Sequence, residues 1–138
     1  MPIRVRASKT LGLVVLILEG VITEEEFDSQ VTPLMDLPEY NLMPLTLVDM
    51  TKAVRGEAPS EFVRRNARRA ARNVDDAIQV PAKMALAADN PEFYGLGRMY
   101  EMLRVESPVE IAVFRTRREA ERWLGLSSDY ETQLTDVL

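Results

Sequence analysis

The stretch Lys83–Glu101, KMALAADNPEFYGLGRMYE, constrains the fold more than any other part of the chain. A short apolar run, Met84–Ala88, passes through Asp89-Asn90-Pro91 into a segment with helical spacing. Strand, turn and helix in that order make half of a βαβ unit. Asn90 suits an N-cap, because its side-chain oxygen accepts from a free N–H of the first turn, and Pro91 suits the first helical position. The helix is expected to run to about Leu103. Gly95 and Gly97 lie inside it and weaken it, unless small residues are needed for close contact with the sheet or a neighbouring chain.

The same alternation extends to both sides. Ile3–Ala7 alternates apolar and polar residues, as an edge strand with one wet face does. Ser8-Lys9-Thr10 turns the chain, and Leu13–Leu18 reads as a second strand covered on both faces. The short gap between them predicts an antiparallel hairpin. Gly20 closes the second strand. Thr23 and Glu26 form a capping box, with Glu24, Glu25 and Glu26 at the positive end of the helix. Phe27, Val31 and Leu34 face the sheet. Pro33 kinks that helix or ends it, and Pro38 lies beyond it.

Leu45–Met50 is the third strand, and Ala53–Pro59 is a loop containing Gly56. Ser60 caps a helix from about Glu61 to Asp76, with Val63, Ala67, Ala70, Val74 and Ile78 as its apolar stripe. Ala82–Ala88 is the fourth strand and Glu110–Phe114 the fifth. Thr116 and Glu119 make a second capping box, opening a short helix with Ala120, Trp123 and Leu124 inward and Gly125 at its end. The fold class is therefore α/β. A single mixed, mainly parallel sheet of four to five strands with about four helices spans residues 1–126. A C-terminal tail, 127–138, reads either as disordered or as a docking arm.

Composition removes whole classes of chemistry. The chain has 138 residues, no cysteine and no histidine. Disulfides, thiol nucleophiles, Cys/His zinc sites and imidazole acid–base catalysis are thereby excluded. A metal would have to use carboxylates and carbonyls, and no metal site or cofactor is expected. Seventeen basic against 22 acidic residues give a net charge of −5, which disfavours non-specific nucleic-acid binding. The apolar stretch Leu11–Leu18 is too short to span a bilayer, and no small-residue cleavage site follows it. A buried strand is its simpler use.

In parallel α/β sheets ligands sit beyond the carboxyl ends of the strands. That rim is expected to collect Asp49, Thr51 and Lys52, then Asp89 and Asn90, then Arg115 and Thr116. The ordinary use of such residues is to cap helices and turns, and no nucleophile among them has a base beside it. Asn90–Gly97 does not match a phosphate loop, since its glycines follow the helix start. Arg64, Arg65, Arg68, Arg69 and Arg72 form a basic face on one helix. It is either solvated and salt-linked, with Glu57, Glu61, Asp75 and Asp76 offsetting it, or it meets an acidic partner, lipid headgroup or phosphate. The opposite stripe is too thin for stable membrane insertion.

LAADNPEFYGLGRMYEML followed by VEIAVFRTRREAERWLGL resembles the SpoIIAA-like group of the STAS/SEC14-type superfamily. The matching positions are Asn90, Gly97, Arg98, Tyr100, Glu101, Phe114, Arg115, Glu119, Ala120, Trp123 and Leu124. Val14–Gly20 and Leu47–Asp49 fit more loosely, so the resemblance covers about residues 10–126. It implies helices mainly on one side of the sheet and a small cytoplasmic protein, often a homodimer, without established chemistry. The anti-sigma-factor antagonists of this superfamily carry a phosphorylatable serine after a central strand. Here that region reads Val48-Asp49-Met50-Thr51-Lys52, where Thr51 is the only hydroxyl. The lipid-binding side of the superfamily uses a hydrophobic pocket for which this chain is short. The reading is thus a non-enzymatic interaction or regulatory module that self-associates or holds a protein partner. The alternatives are a small-anion or lipid-headgroup binder using the strand-end loops and the Arg64–Arg72 face, and, last, a carboxylate-based enzyme.

Overall fold

Leu13, Val15 and Ile17 point to one face of their strand and Val14, Leu16 and Leu18 to the other, and all six are buried. A strand covered on both faces has to lie inside a sheet with a layer on each side. The computed structural model, which describes residues 3–54 and 59–138, has that arrangement. The strands are β1 (Ile3–Ser8), β2 (Leu13–Val21), β3 (Leu45–Val54), β4 (Lys83–Ala87), β5 (Glu110–Phe114) and β6 (Thr135–Asp136). The helices are α1 (Glu24–Gln30), α2 (Thr32–Met35), α3 (Pro38–Asn41), α4 (Pro59–Asn73), α5 (Pro91–Leu103) and α6 (Arg117–Trp123), and a 3-10 turn covers Tyr130–Gln133. The sheet order is β5-β4-β3-β2-β1-β6. β2 to β5 are parallel neighbours, and β1 is antiparallel to both β2 and β6.

The α/β class and mixed sheet follow the sequence pattern, but the sheet has a sixth strand. Residues 127–138 dock rather than hang free. Val137 N–H donates to Val5 O at 2.8 Å, and Tyr130 and Leu134 are buried. β1 is therefore not an edge strand, because β6 lies outside it.

Two other differences have local causes. The helix expected to carry Phe27, Val31 and Leu34 stops at Gln30 and restarts as α2 with Pro33 in its first turn. Proline ends the first ladder, since it has no N–H to donate, yet it opens the next helix at no cost. Pro38 opens α3 in the same way. The third strand does not stop at Met50. It continues to Val54 through a bulge, because Ile17 pairs with Asp49 but Glu19 pairs with Lys52. The Asp49 carboxylate accepts from Thr51 N–H at 2.9 Å and from the Thr51 hydroxyl at 2.7 Å. It thus satisfies the N–H that the bulge takes out of the ladder. The extra residue also reverses the strand's alternation, turning Ala53 toward the same side as Val48 and Met50. The loop expected around Gly56, and Glu57 with it, lies outside the described residues.

Three of the four expected caps form, whereas Ser60 lies inside α4, which already begins at Pro59. Thr23 accepts from Glu26 N–H, Asn90 from Phe93 N–H and Thr116 from Glu119 N–H, at 3.0, 2.8 and 3.1 Å. Helices α1 to α5 cover one face of the sheet, while α6 and the 3-10 turn cover the other over Leu13, Val15, Ile17, Leu47 and Ala85.

Gly97 answers the question its position raised. A Cβ there would sit 3.0 Å from Val113 Cγ1 and 3.3 Å from Val113 Cγ2, whereas one on Gly95 meets nothing within 4 Å. Gly97 is therefore a helix–strand packing residue and Gly95 is not. We expect Gly95→Ala to stabilise the protein by up to ~1 kcal/mol through helix propensity. Gly97→Ala should destabilise it by about 1–2 kcal/mol, since overpacking outweighs the same gain. Urea unfolding of both variants checks this, and shifts of equal sign would contradict it.

Candidate functional site

The layer over Val48, Met50 and Leu86 is incomplete. A cavity of about 270 Å³ lies between this sheet face and helices α1, α4 and α5. Leu16, Leu18, Val48 and Leu86 form its floor, and Phe62, Val63, Ala70 and Val74 form its roof. Met35, Met43, Met50 and Met84 line its sides with Phe27, Phe93 and Leu96. Of the apolar stripe read on α4, Val63, Ala70, Val74 and Ile78 line the space, while Ala67 is packed away from it. Methionine side chains are flexible and polarizable, which suits a wall that adapts to a guest.

The roof is held at its flanks. Arg65 donates to Glu24 Oε2 at 3.2 Å and to Asp28 Oδ2 at 2.9 Å. Arg69 donates to the Thr32 hydroxyl at 2.9 Å, and its other terminal nitrogen lies 3.8 Å from Asp28. Phe27 and Phe62 meet edge to face with ring centroids 4.9 Å apart. On the other flank, α4 packs most closely on α5. The basic face is therefore split in use. Arg65 and Arg69 tie α4 to α1 and α2, Arg64 pairs with Glu61 at 2.7 Å, and Arg68 and Arg72 are exposed.

One end of the cavity carries a buried cation. Arg104 is 5% exposed and donates to Asp75 Oδ1 at 2.7 Å, to the Tyr100 hydroxyl at 2.6 Å and to Ser107 Oγ at 3.0 Å. Its Nε is buried without a partner. Glu24 Oε1 and Asn41 Oδ1 are likewise buried without one, and all three residues line the cavity.

The residues expected on the strand-end rim do different work. Asp49 is buried inside β3 and, besides Thr51, takes Arg117 Nη1 at 3.1 Å. Arg117 also reaches Tyr130 Oη at 2.9 Å, Glu131 at 3.1 Å and Glu121 at 3.3 Å, so it ties β3, α6 and the tail together. Thr51 spends its hydroxyl hydrogen on Asp49. Lys52 and Asp89 are exposed. Asn90 and Thr116 cap α5 and α6, and Arg115 stacks over the Tyr94 ring at 4.2 Å. β3, β4 and β5 are adjacent and parallel, so Asp89–Asn90 and Arg115–Thr116 do share a rim. Asp49 and Thr51 face the α6 side instead. Among the described residues no group of three or more carboxylates is placed to hold a metal.

Sequence reasoning missed the cavity, Arg104 and Arg117. The Tyr100–Arg104 spacing of one helical turn was a usable signal, and Asp75, expected to offset the Arg64–Arg72 face, pairs instead with Arg104. No helix among the described residues is long and apolar enough to cross a membrane.

Burial raises the Tyr130 phenol well above its usual value near 10, and its hydrogen bond to Glu121 adds to this against the opposing Arg117. Burial also raises Tyr100, against Arg104. Both phenols are held neutral by folding. Their contribution is therefore whole below about pH 10 and is lost as pH climbs from there through the folded-state values. A spectrophotometric phenolate titration of the native protein should show a late phase that Tyr130→Phe diminishes. A single step near pH 10 in both proteins would contradict this.

No protein-family model and no curated protein matches the chain. A solved structure does. It is described as an uncharacterized protein of the DUF3478 family with a SpoIIAA-like fold, from Shewanella loihica PV-4. The two superpose with a TM-score of 0.56 at 17% identity, over 88% of this chain and 91% of that one. At that identity the likeness establishes the fold, and this chain has the SpoIIAA-like α/β architecture.

Proposed function

We propose that the protein is a non-catalytic, ligand-binding regulatory module, a diverged member of the SpoIIAA-like group that holds an apolar small molecule beneath α4. The observation that carries this reading is the 270 Å³ space itself, a partly open cleft between a sheet face and three helices, walled mostly by carbon and sulfur. Binding pockets are concave, mostly apolar and carry a few polar groups, as this one does. An empty space of this size weakens a fold, since its walls lose the dispersion contacts that packing would supply. A guest restores them.

The polar network on the other face supports the non-catalytic side of the reading. Asp49, Thr51, Arg117, Tyr130 and Glu121 satisfy one another, and no nucleophile in it is paired with a free base. Self-association belongs to the same proposal, and sedimentation velocity tests it: a mass near 15.6 kDa at every concentration contradicts it.

The cavity reading is tested with 1-aminoanthracene, whose fluorescence rises in apolar surroundings. At ~0.5 kcal/mol per heavy atom over ~15 atoms, a dissociation constant of about 3 µM is expected. Ala70→Phe places a ring in the space and should abolish binding without lowering thermal stability. No binding to the natural sequence, or equal binding to the filled variant, would overturn the reading.

A further inference from the structure

We infer that β5 and the flank of α5 above its open edge are the surface on which a second copy of this chain docks, the two β5 strands pairing antiparallel about a two-fold axis. This rests on the self-association proposed above and names its surface.

The sheet has two edges. One is closed by β6, which is two residues long, whereas β5 ends the other with five. Glu110 N–H donates to Ala82 O and Phe114 O accepts from Ala88 N–H, so these residues turn their backbone groups toward β4. Alternate residues of a strand turn theirs the other way, so Ile111 and Val113 present N–H and C=O outward, where no described strand meets them. Open edges are commonly blunted by proline, lysine or a bulge, and β5, EIAVF, has none of these. Such an edge accepts a further strand, and an antiparallel copy of itself matches it by symmetry.

The helix above the edge is self-complementary too. Phe93, Leu96 and Tyr100 face the cavity, on the α4 side, and a Cβ on Gly97 would touch Val113 of β5 and Leu86 of β4. α5 therefore lies over the β4–β5 pair. Its far flank, Tyr94, Arg98 and Glu101 with Val105 just beyond the end, overhangs the open edge. Strands about 4.8 Å apart then set the two α5 axes about 10 Å apart when the β5 strands pair, which is a packing distance for helices. A two-fold axis passing between Met99 and Tyr100 sets Arg98 opposite Glu101 of the second copy, and Val105 opposite its Tyr94. Arg98 and Glu101 are 2.7 Å apart within one chain, so the two pairs join into four alternating charges. Val105 and Met102, 79% and 70% exposed, are the most exposed large apolar side chains among the described residues. The axis covers both, and Gly95, where a Cβ would meet nothing, leaves the room Met102 needs.

The test is sedimentation velocity of the full chain and of Arg98→Glu and Glu101→Arg. Each variant alone sets like charges across the axis and is expected to weaken self-association by about tenfold or more. An equimolar mixture of the two variants restores opposite charges, and a species of twice the 15.6 kDa chain mass is expected to return. Mixing would not rescue a pair that matters only within one chain. In the natural chain the Ile111 and Val113 amides are expected to exchange more slowly as protein concentration rises. A dimer that both variants retain, a mixture that does not restore it, or a dimer whose Ile111 and Val113 amides ignore concentration overturns this surface and leaves self-association standing. A natural chain that is monomeric at every concentration overturns both.

Discussion

Helix α4 is held over the sheet from its flanks, and the rest of the molecule's interest follows from that. On one side Arg65 and Arg69 grip Glu24, Asp28 and Thr32 across roughly one helical diameter. On the other, α4 lies against α5. Between them, Phe62, Val63, Ala70 and Val74 hang over Val48 and Leu86 without closing on them. A small residue on the stripe matters here: Ala70 does not reach far enough to fill the gap. A larger apolar side chain in that place would fill part of the space. Half-exposed ion pairs are individually weak, so the grip depends on several of them with an aromatic contact at its centre.

The opposite face shows what a filled layer does with polar groups. Arg117 gathers Asp49, Glu121, Glu131 and Tyr130, and through them fixes the end of the chain against β1 and α6. A charge so engaged is a strut, and removing one partner would strand the others, at less than the ~3–5 kcal/mol of a fully buried pair because Arg117 keeps 24% of its side chain exposed. The residues that looked most chemical in the sequence, Asp49 and Thr51, are consumed by the bulge of β3. That bulge serves the other face as well, since it turns Ala53 to the cavity side. One extra residue therefore couples the strut to the shape of the cavity.

Much of the frame was legible in local pattern. The caps at Thr23, Asn90 and Thr116, the break at Pro33 and the parallel run of strands all depend on neighbours a few residues apart. The pairing of β6 with β1 was not legible, because Thr135-Asp136 is too short to carry a period and docks on a strand 130 residues earlier. The roles of Arg104 and Arg117 were not legible either, for the same reason. Arg117 meets Asp49 across 68 positions and Arg104 meets Asp75 across 29. The cavity had no signature at all. An apolar stripe on a helix predicts that it faces inward, and says nothing of how far away the opposite wall stands. Only the side-chain lengths on α4, set beside the flank contacts that fix its height, reveal the gap.

The central claim is that the space beneath α4 receives a guest. It is tested most directly by methionine-methyl NMR of the 13C-labelled protein with and without 1-aminoanthracene. Met35, Met43, Met50 and Met84 line the space, whereas Met99 and Met102 lie outside it. The account predicts large ring-current shifts in the first four methyl signals and little change in the last two. Shifts confined to Met102, which is 70% exposed, would place the dye on the surface and contradict it.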